Sequence, residues 1–199
     1  MLRVFAEGLD DVFIRKYLEK LGYVSNVDFT TDNSGGWTKT PLVAPKIREY
    51  LDGGDRVVLV FDADGDYNGG GFEIRKSELE AILKKSELAI DFFLFPNNKD
   101  DGDFETLLSQ IANVDRLKIF DCFDKYESCV KALETDTTKF RVPLRKSRVY
   151  AYFESFDESN NSKKKESNDK TFFYDNPKYW DLDSVHLESL RLFLKEKLD

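Results

Sequence analysis

Residues Arg56-Val57-Val58-Leu59-Val60-Phe61 constrain the fold more than any other stretch of this chain. Five consecutive apolar residues, three of them valines, read as a strand buried on both faces. That pattern belongs to a parallel sheet covered by helices on either side. The run stops abruptly at Asp62-Ala63-Asp64-Gly65-Asp66. Around it, strand-like and helix-like segments alternate. Residues 2–6 read as a strand closed by Glu7-Gly8, and a helix capped by Asp10 or Asp11 runs to about Leu21, with Val12, Phe13, Tyr17, Leu18 and Leu21 at helical spacing. A second strand is expected over 23–30, then the loop Asp32-Asn33-Ser34-Gly35-Gly36-Trp37, then a helix over 41–51 closed by Gly53-Gly54. A helix over 72–83, a strand over 89–95, a polar loop over 96–102 and helices over 103–111 and 114–133 follow. The alternation predicts an α/β protein, a three-layer sandwich around a mainly parallel sheet.

The C-terminal third is less regular. Residues 146–153 fit a helix or a strand, and periodicity does not decide between them. Residues 156–171 are almost wholly polar and read as a mobile loop or insertion. Its run Lys163-Lys164-Lys165 has no interleaved aromatic residue, so it reads as a solvated face rather than a nucleic-acid site. An amphipathic helix over 185–198 closes the chain. The expected organisation is a core over 1–155, the insertion over 156–171 and a helical extension over 172–199 that packs on the core.

At 199 residues the chain is within the range of one domain, and 17 Phe and 9 Tyr supply a core. No run approaches the roughly 18 apolar residues of a membrane helix, and Glu7 arrives too early for a secretory signal. Cys122 and Cys129, seven apart, suit a shared helix face better than a disulfide and form no metal motif. A soluble, cytoplasmic protein is expected. Lys and Arg total 30 against 38 Asp and Glu, a net charge of −8, which argues against coating nucleic acid through a broad basic face. Acids concentrated around bound cations would reverse the local field, so their distribution matters.

In open parallel sheets ligands gather at the carboxyl ends of strands. Glu7 ends the first strand, Asp62 and Asp64 end the third, and Asp103 and Glu105 follow the fourth after a short loop. Hard divalent cations such as Mg²⁺ take oxygen ligands and retain waters, so two to four converging acids suffice. Without a cation such acids repel one another and some pKa values rise. The plainer reading of each single acid is a helix cap or turn residue. Two other motifs match poorly. Asp62, Asp64, Asp66, Asn68 and Glu73 fall at calcium-loop positions, but Tyr67 stands where that loop needs Gly and a strand precedes it. Asp62-x-Asp64-Gly65 is similar to the haloacid-dehalogenase nucleophile motif, yet it follows the third strand and precedes Asp66 rather than Thr.

The ordered set fits a third family. Glu7-Gly8-x-x-Asp11, followed by Asp62-x-Asp64 after a buried strand, resembles the Toprim domain of topoisomerases, bacterial primases and OLD-type nucleases. Gly102-Asp103-Phe104-Glu105 is similar to the Gly-x-x-Glu element of the OLD-like branch, and Pro143-Leu144-Arg145-Lys146 before Val149-Tyr150-Ala151-Tyr152 resembles the placing of its active-site lysine. The likeness covers about residues 1–155, and the closing helix suits small stand-alone relatives. The resemblance implies that Glu7, Asp11, Asp62 and Asp64 hold one Mg²⁺ or Mn²⁺, with Glu7 also managing protons. Asp103 and Glu105 would serve a second ion, and Lys146 would steady the phosphate in the transition state. It implies a metal-dependent nuclease acting on DNA or RNA, or a catalytically weak metal- and nucleic-acid-binding module that kept the fold. A small-molecule phosphatase is a third reading. Asp10 stands where Ser or Thr is usual and Asp103 where Ser is frequent; neither removes an oxygen ligand. No Gly-x-x-x-x-Gly-Lys-Ser/Thr occurs, so an ATPase partner would act in trans.

Smaller signals take plainer readings. His186, the one histidine, reads as a surface or capping residue, Lys99 as a solvated loop lysine, and Tyr67 not as a topoisomerase-like nucleophile. Arg141, Arg145 and Arg148 flank Lys146 and compete for its role. Trp37 fits either stacking on a base or packing beneath its own loop.

Overall fold

Leu2–Ala6 (β1), Phe29–Asn33 (β2), Arg56–Asp62 (β3) and Asp91–Phe95 (β4) form one sheet in the order β2-β1-β3-β4. Every pairing is parallel, with Leu2 opposite Phe29 and Arg56, and Asp62 opposite Phe95. The computed structural model describes residues 1–8, 10–66, 69–143, 145–156 and 173–199. The polar stretch expected over 156–171 lies outside the described residues except for Phe156, as do Tyr67 and Asn68.

Period-two alternation along the strands makes the layers. Leu2, Val4, Ala6, Val58, Val60, Phe93 and Phe95 enter one core, whereas Phe5, Val57, Leu59, Phe61 and Leu94 enter another on the opposite face. Asp10–Lys20 (α1) covers the first face through Phe13, Ile14, Tyr17 and Leu18; Phe104–Gln110 (α4) adds Leu107 and Leu108. Thr40–Asp52 (α2) and Phe72–Lys85 (α3) cover the second through Ala44, Ile47, Leu79 and Leu83. The molecule is thus the α/β three-layer sandwich expected of a chain whose central strand is apolar throughout.

Elsewhere the boundaries shift. The second strand starts later than expected, at Phe29, and runs into Asn33; it is an edge strand in which only Phe29 is fully buried. The long helix expected over 114–133 is a 3-10 turn, Val114–Arg116, followed by Lys118–Ala132 (α5). Only Phe120 of α5 is buried, and Cys122 and Cys129 are exposed and unbridged. The undecided segment is a helix, Arg145–Glu154 (α6). His186 lies in a 3-10 turn before Glu188–Leu198 (α7), whose Leu190 and Leu194 enter the first core. Tyr152 ties the C-terminal third to this core: its Oη donates to the Tyr179 carbonyl at 2.5 Å and accepts the Asn113 N–H at 2.9 Å. Among the described residues no helix is long and apolar enough to cross a membrane.

Candidate functional site

The strand order places the switch point of this sheet between β1 and β3. From β1 the chain turns outward to β2, from β3 it turns outward to β4, and the carboxyl ends of β1 and β3 border the crevice where open α/β sheets take ligands. Ala6 is paired with Val60, so Glu7 emerges level with the end of β3 and Asp62 follows immediately.

Two groups of acids meet there. On the side of the first core stand Asp10, Asp62 and Glu105. Asp10 opens α1 and is buried; desolvation, then the Asp62, Glu105 and Glu7 charges, hold its carboxyl well above the ordinary value, against the opposing pull of Lys146. Asp62 is raised likewise by burial and by Glu105 and Asp103, opposed by the Phe104 N–H, which donates to its Oδ1 at 2.8 Å. Burial and Asp103 raise Glu105, while Lys146 and Arg145 lower it. A cavity of about 90 Å³ opens beside Asp10 and Glu105, walled by Phe104, Lys146, Tyr150 and Tyr174. Burial, followed by the Asp10 and Glu105 charges, pushes the Tyr174 hydroxyl well up.

The second group joins Glu7 to Asp64. Burial and then the Asp64 charge raise Glu7, whereas Lys146, Arg75 and Lys39 lower it. The loop after β2 passes closely: a Cβ on Gly36 would lie 3.4 Å from both Glu7 carboxylate oxygens. Asp64 sits in the left-handed region at φ 59°, and its carbonyl accepts the Gly102 N–H at 2.6 Å. Its Oδ2 receives Arg75 Nη2 at 2.7 Å. Gly70 lies so close that a Cβ there would meet Asp64 Cβ at 2.6 Å and the Ala63 carbonyl at 2.9 Å.

Glu7, Asp62, Asp64, Glu105 and Lys146, all expected from the sequence, therefore gather at the crevice. Asp11 points elsewhere: after burial and the Val12 N–H, its principal charged neighbours are Arg15 and Asp32. Asp103 acts as the N-cap of α4, with Oδ1 accepting the Thr106 N–H at 2.8 Å and Arg145 Nη2 at 3.0 Å. Trp37 packs against the second core beneath its loop, with the Arg75 guanidinium 4.1 Å from its ring centre. Sequence reasoning missed three participants. Asp10 was legible only as a helix cap or a replacement for Ser or Thr, and Tyr174 and Arg75 carried no local signal.

The donor chemistry of this crevice, buried carboxylates crowded without enough cationic charge, suits a hard divalent ion. The acids stand in two groups around the strand tips, and among the described residues no three His, Cys, Asp or Glu side chains are arranged to hold a metal ion together.

Fold and site define an α/β protein with a carboxylate-lined crevice at the switch point of its parallel sheet. Over residues 2–199 the chain matches the model of a family described as a protein of unknown function, DUF3226, and it belongs to that family. No curated protein and no solved structure matches it.

Proposed function

We propose that this chain is a divalent-metal-dependent enzyme acting on phosphodiesters, a nuclease of the Toprim type. The observation that carries the reading is the crowding of Glu7, Asp10, Asp62 and Glu105, each raised by burial and by a neighbouring acid, which for Glu7, Asp10 and Asp62 comes from a different part of the chain. Asp62, Glu105 and Asp10 would hold Mg²⁺ or Mn²⁺ on one side of the strand tips, and Glu7 and Asp64 on the other, after side-chain rotation. Bound metal would supply charge stabilisation for an in-line displacement at phosphorus. Glu7, held protonated more readily than an ordinary glutamate, is placed to exchange a proton with water or the leaving oxygen. Lys146 faces Glu7, Asp10 and Glu105 from α6 and would steady the anionic phosphate.

The test is cleavage of single- and double-stranded DNA and RNA with Mg²⁺ or Mn²⁺, comparing wild type with Asp62→Ala and Glu7→Ala. Loss in both variants supports the reading, and equal activity in all three ends it. A second reading, a metal- and nucleic-acid-binding module with little turnover, draws on the net charge of −8 and the divided acids. Calorimetric Mn²⁺ binding without cleavage favours it.

A further inference from the structure

We infer that Arg75 is a positioning residue that sets the carboxylate of Asp64 beside Glu7; the inference rests on the metal-site reading above. Arg75 lies on α3 and is only 5% exposed, an unusual position for a charged residue unless its partners hold it there. Three of them do. Nη2 donates to Asp64 Oδ2 at 2.7 Å, Nη1 donates to Glu78 Oε2 at 2.6 Å, and the guanidinium plane lies 4.1 Å from the centre of the Trp37 ring. The buried Nε has no partner among the described residues, so the side chain is placed for its two terminal nitrogens rather than for full satisfaction. Arg75 also counts among the charges that lower Glu7, which puts the guanidinium within electrostatic reach of both acids.

The backbone explains why Asp64 needs such a partner. A left-handed aspartate, pinned by Gly102 and crowded by Gly70, has its Cβ direction fixed. The carboxylate rotation is then set by what hydrogen-bonds to it, and a planar guanidinium anchored through Nη1 on Glu78 and stacked on Trp37 aims one fixed donor at Oδ2, which a flexible ammonium does not. Trp37 sits beneath the guanidinium as a rigid floor and links the loop after β2 to the acid turn.

Positioning and plain charge predict opposite signs. If Arg75 contributed only positive charge, removing it would tighten binding of a divalent cation. As a positioning residue, its loss should weaken Mn²⁺ binding by about 10- to 100-fold. Mn²⁺ affinity is therefore measured by calorimetry or electron paramagnetic resonance on wild type, Arg75→Met and Arg75→Lys, with no substrate present. The expected result is weakening in both variants, including the lysine one that keeps the charge. Tighter binding in Arg75→Met, or wild-type affinity in both variants, overturns the inference. A wild type that binds no Mn²⁺ removes the metal-site reading instead, and a chelator arm then decides on Arg75. In chelator, Arg75→Met should lower the urea midpoint in wild type and do so by less than half as much in an Asp64→Asn background. Equal drops in the two backgrounds overturn the inference without any metal.

Discussion

The carboxylate of Asp62 is fastened to the backbone N–H of Phe104, 2.8 Å away, so the acid that ends the central strand is tied to the helix that carries Glu105. The strand end and the helix start that carry these two acids are therefore held together, and the Glu105 charge bears on Asp62. Each raises the other, or is raised by a shared neighbour, and α4 inherits the position of β3.

Stability should consequently fall with rising pH in the metal-free protein. Burial and like charge raise Asp10 and Asp62 above their ordinary values, so the folded chain binds their protons more tightly than the unfolded chain. The stability they contribute is complete below the ordinary carboxylate range of about 4 and is lost as pH climbs through the folded values. Urea midpoints in chelator should decline as pH rises above the ordinary carboxylate range. Asp62→Asn, whose Oδ1 still accepts from Phe104, and Asp10→Asn should each flatten that decline and raise the midpoint at neutral pH. Saturating Mn²⁺ should flatten it in wild type.

Lys146→Met should move the titration of the crevice upward. Lys146 lowers Glu7, Asp10 and Glu105 together, and its removal leaves burial and mutual repulsion less opposed. Carboxyl carbon NMR should show these groups titrating at higher pH than in wild type. Cleavage near neutral pH should drop by about 10²–10³-fold, the loss typical of removing one charge-stabilising group.

Tyr152→Phe should cost only about 1 kcal/mol, the low end for a buried hydroxyl. Its two partners, the Asn113 N–H and the Tyr179 carbonyl, already bond each other at 2.9 Å and stay paired when the phenol oxygen goes. Urea unfolding of the variant checks this. A loss of several kcal/mol would mean that the hydroxyl holds the C-terminal third in place by itself.

Both cysteines should react with a thiol reagent in the native protein, without unfolding. Seven residues of helix separate their Cα atoms by about 10 Å along the axis, beyond the roughly 7 Å a disulfide spans. Oxidation should therefore give no intrachain bridge, and native mass spectrometry after labelling should show two modified thiols.

What could be read from the sequence follows from where burial leaves a local trace. β3 announces itself because every residue from Val57 to Phe61 is buried whichever face it takes. β2 reads too early in the sequence because Asp32 and Asn33, on the sheet's edge, have the composition of a loop. Strand-end acids were legible because they recur after three separate apolar runs, although each alone would read as a cap or turn residue. The choice between Asp10 and Asp11 was not. Neighbouring residues on a helix point about 100° apart, and which one faces the strand tips depends on how α1 rotates to bury Phe13, Ile14 and Tyr17. Arg75 was illegible for a different reason. On paper it is one more charge in an amphipathic helix, and its burial comes from Trp37 and Asp64, which tertiary packing alone brings to it.

The space at Gly70 reaches beyond this molecule. Any side chain at position 70 would have to displace Asp64 itself, not a flexible neighbour. Position 70 thus serves as a diagnostic across the family. A member bearing anything larger than hydrogen there would have to rebuild the turn that presents this acid, so one position reports whether the Asp64 turn can be kept as it stands in this chain.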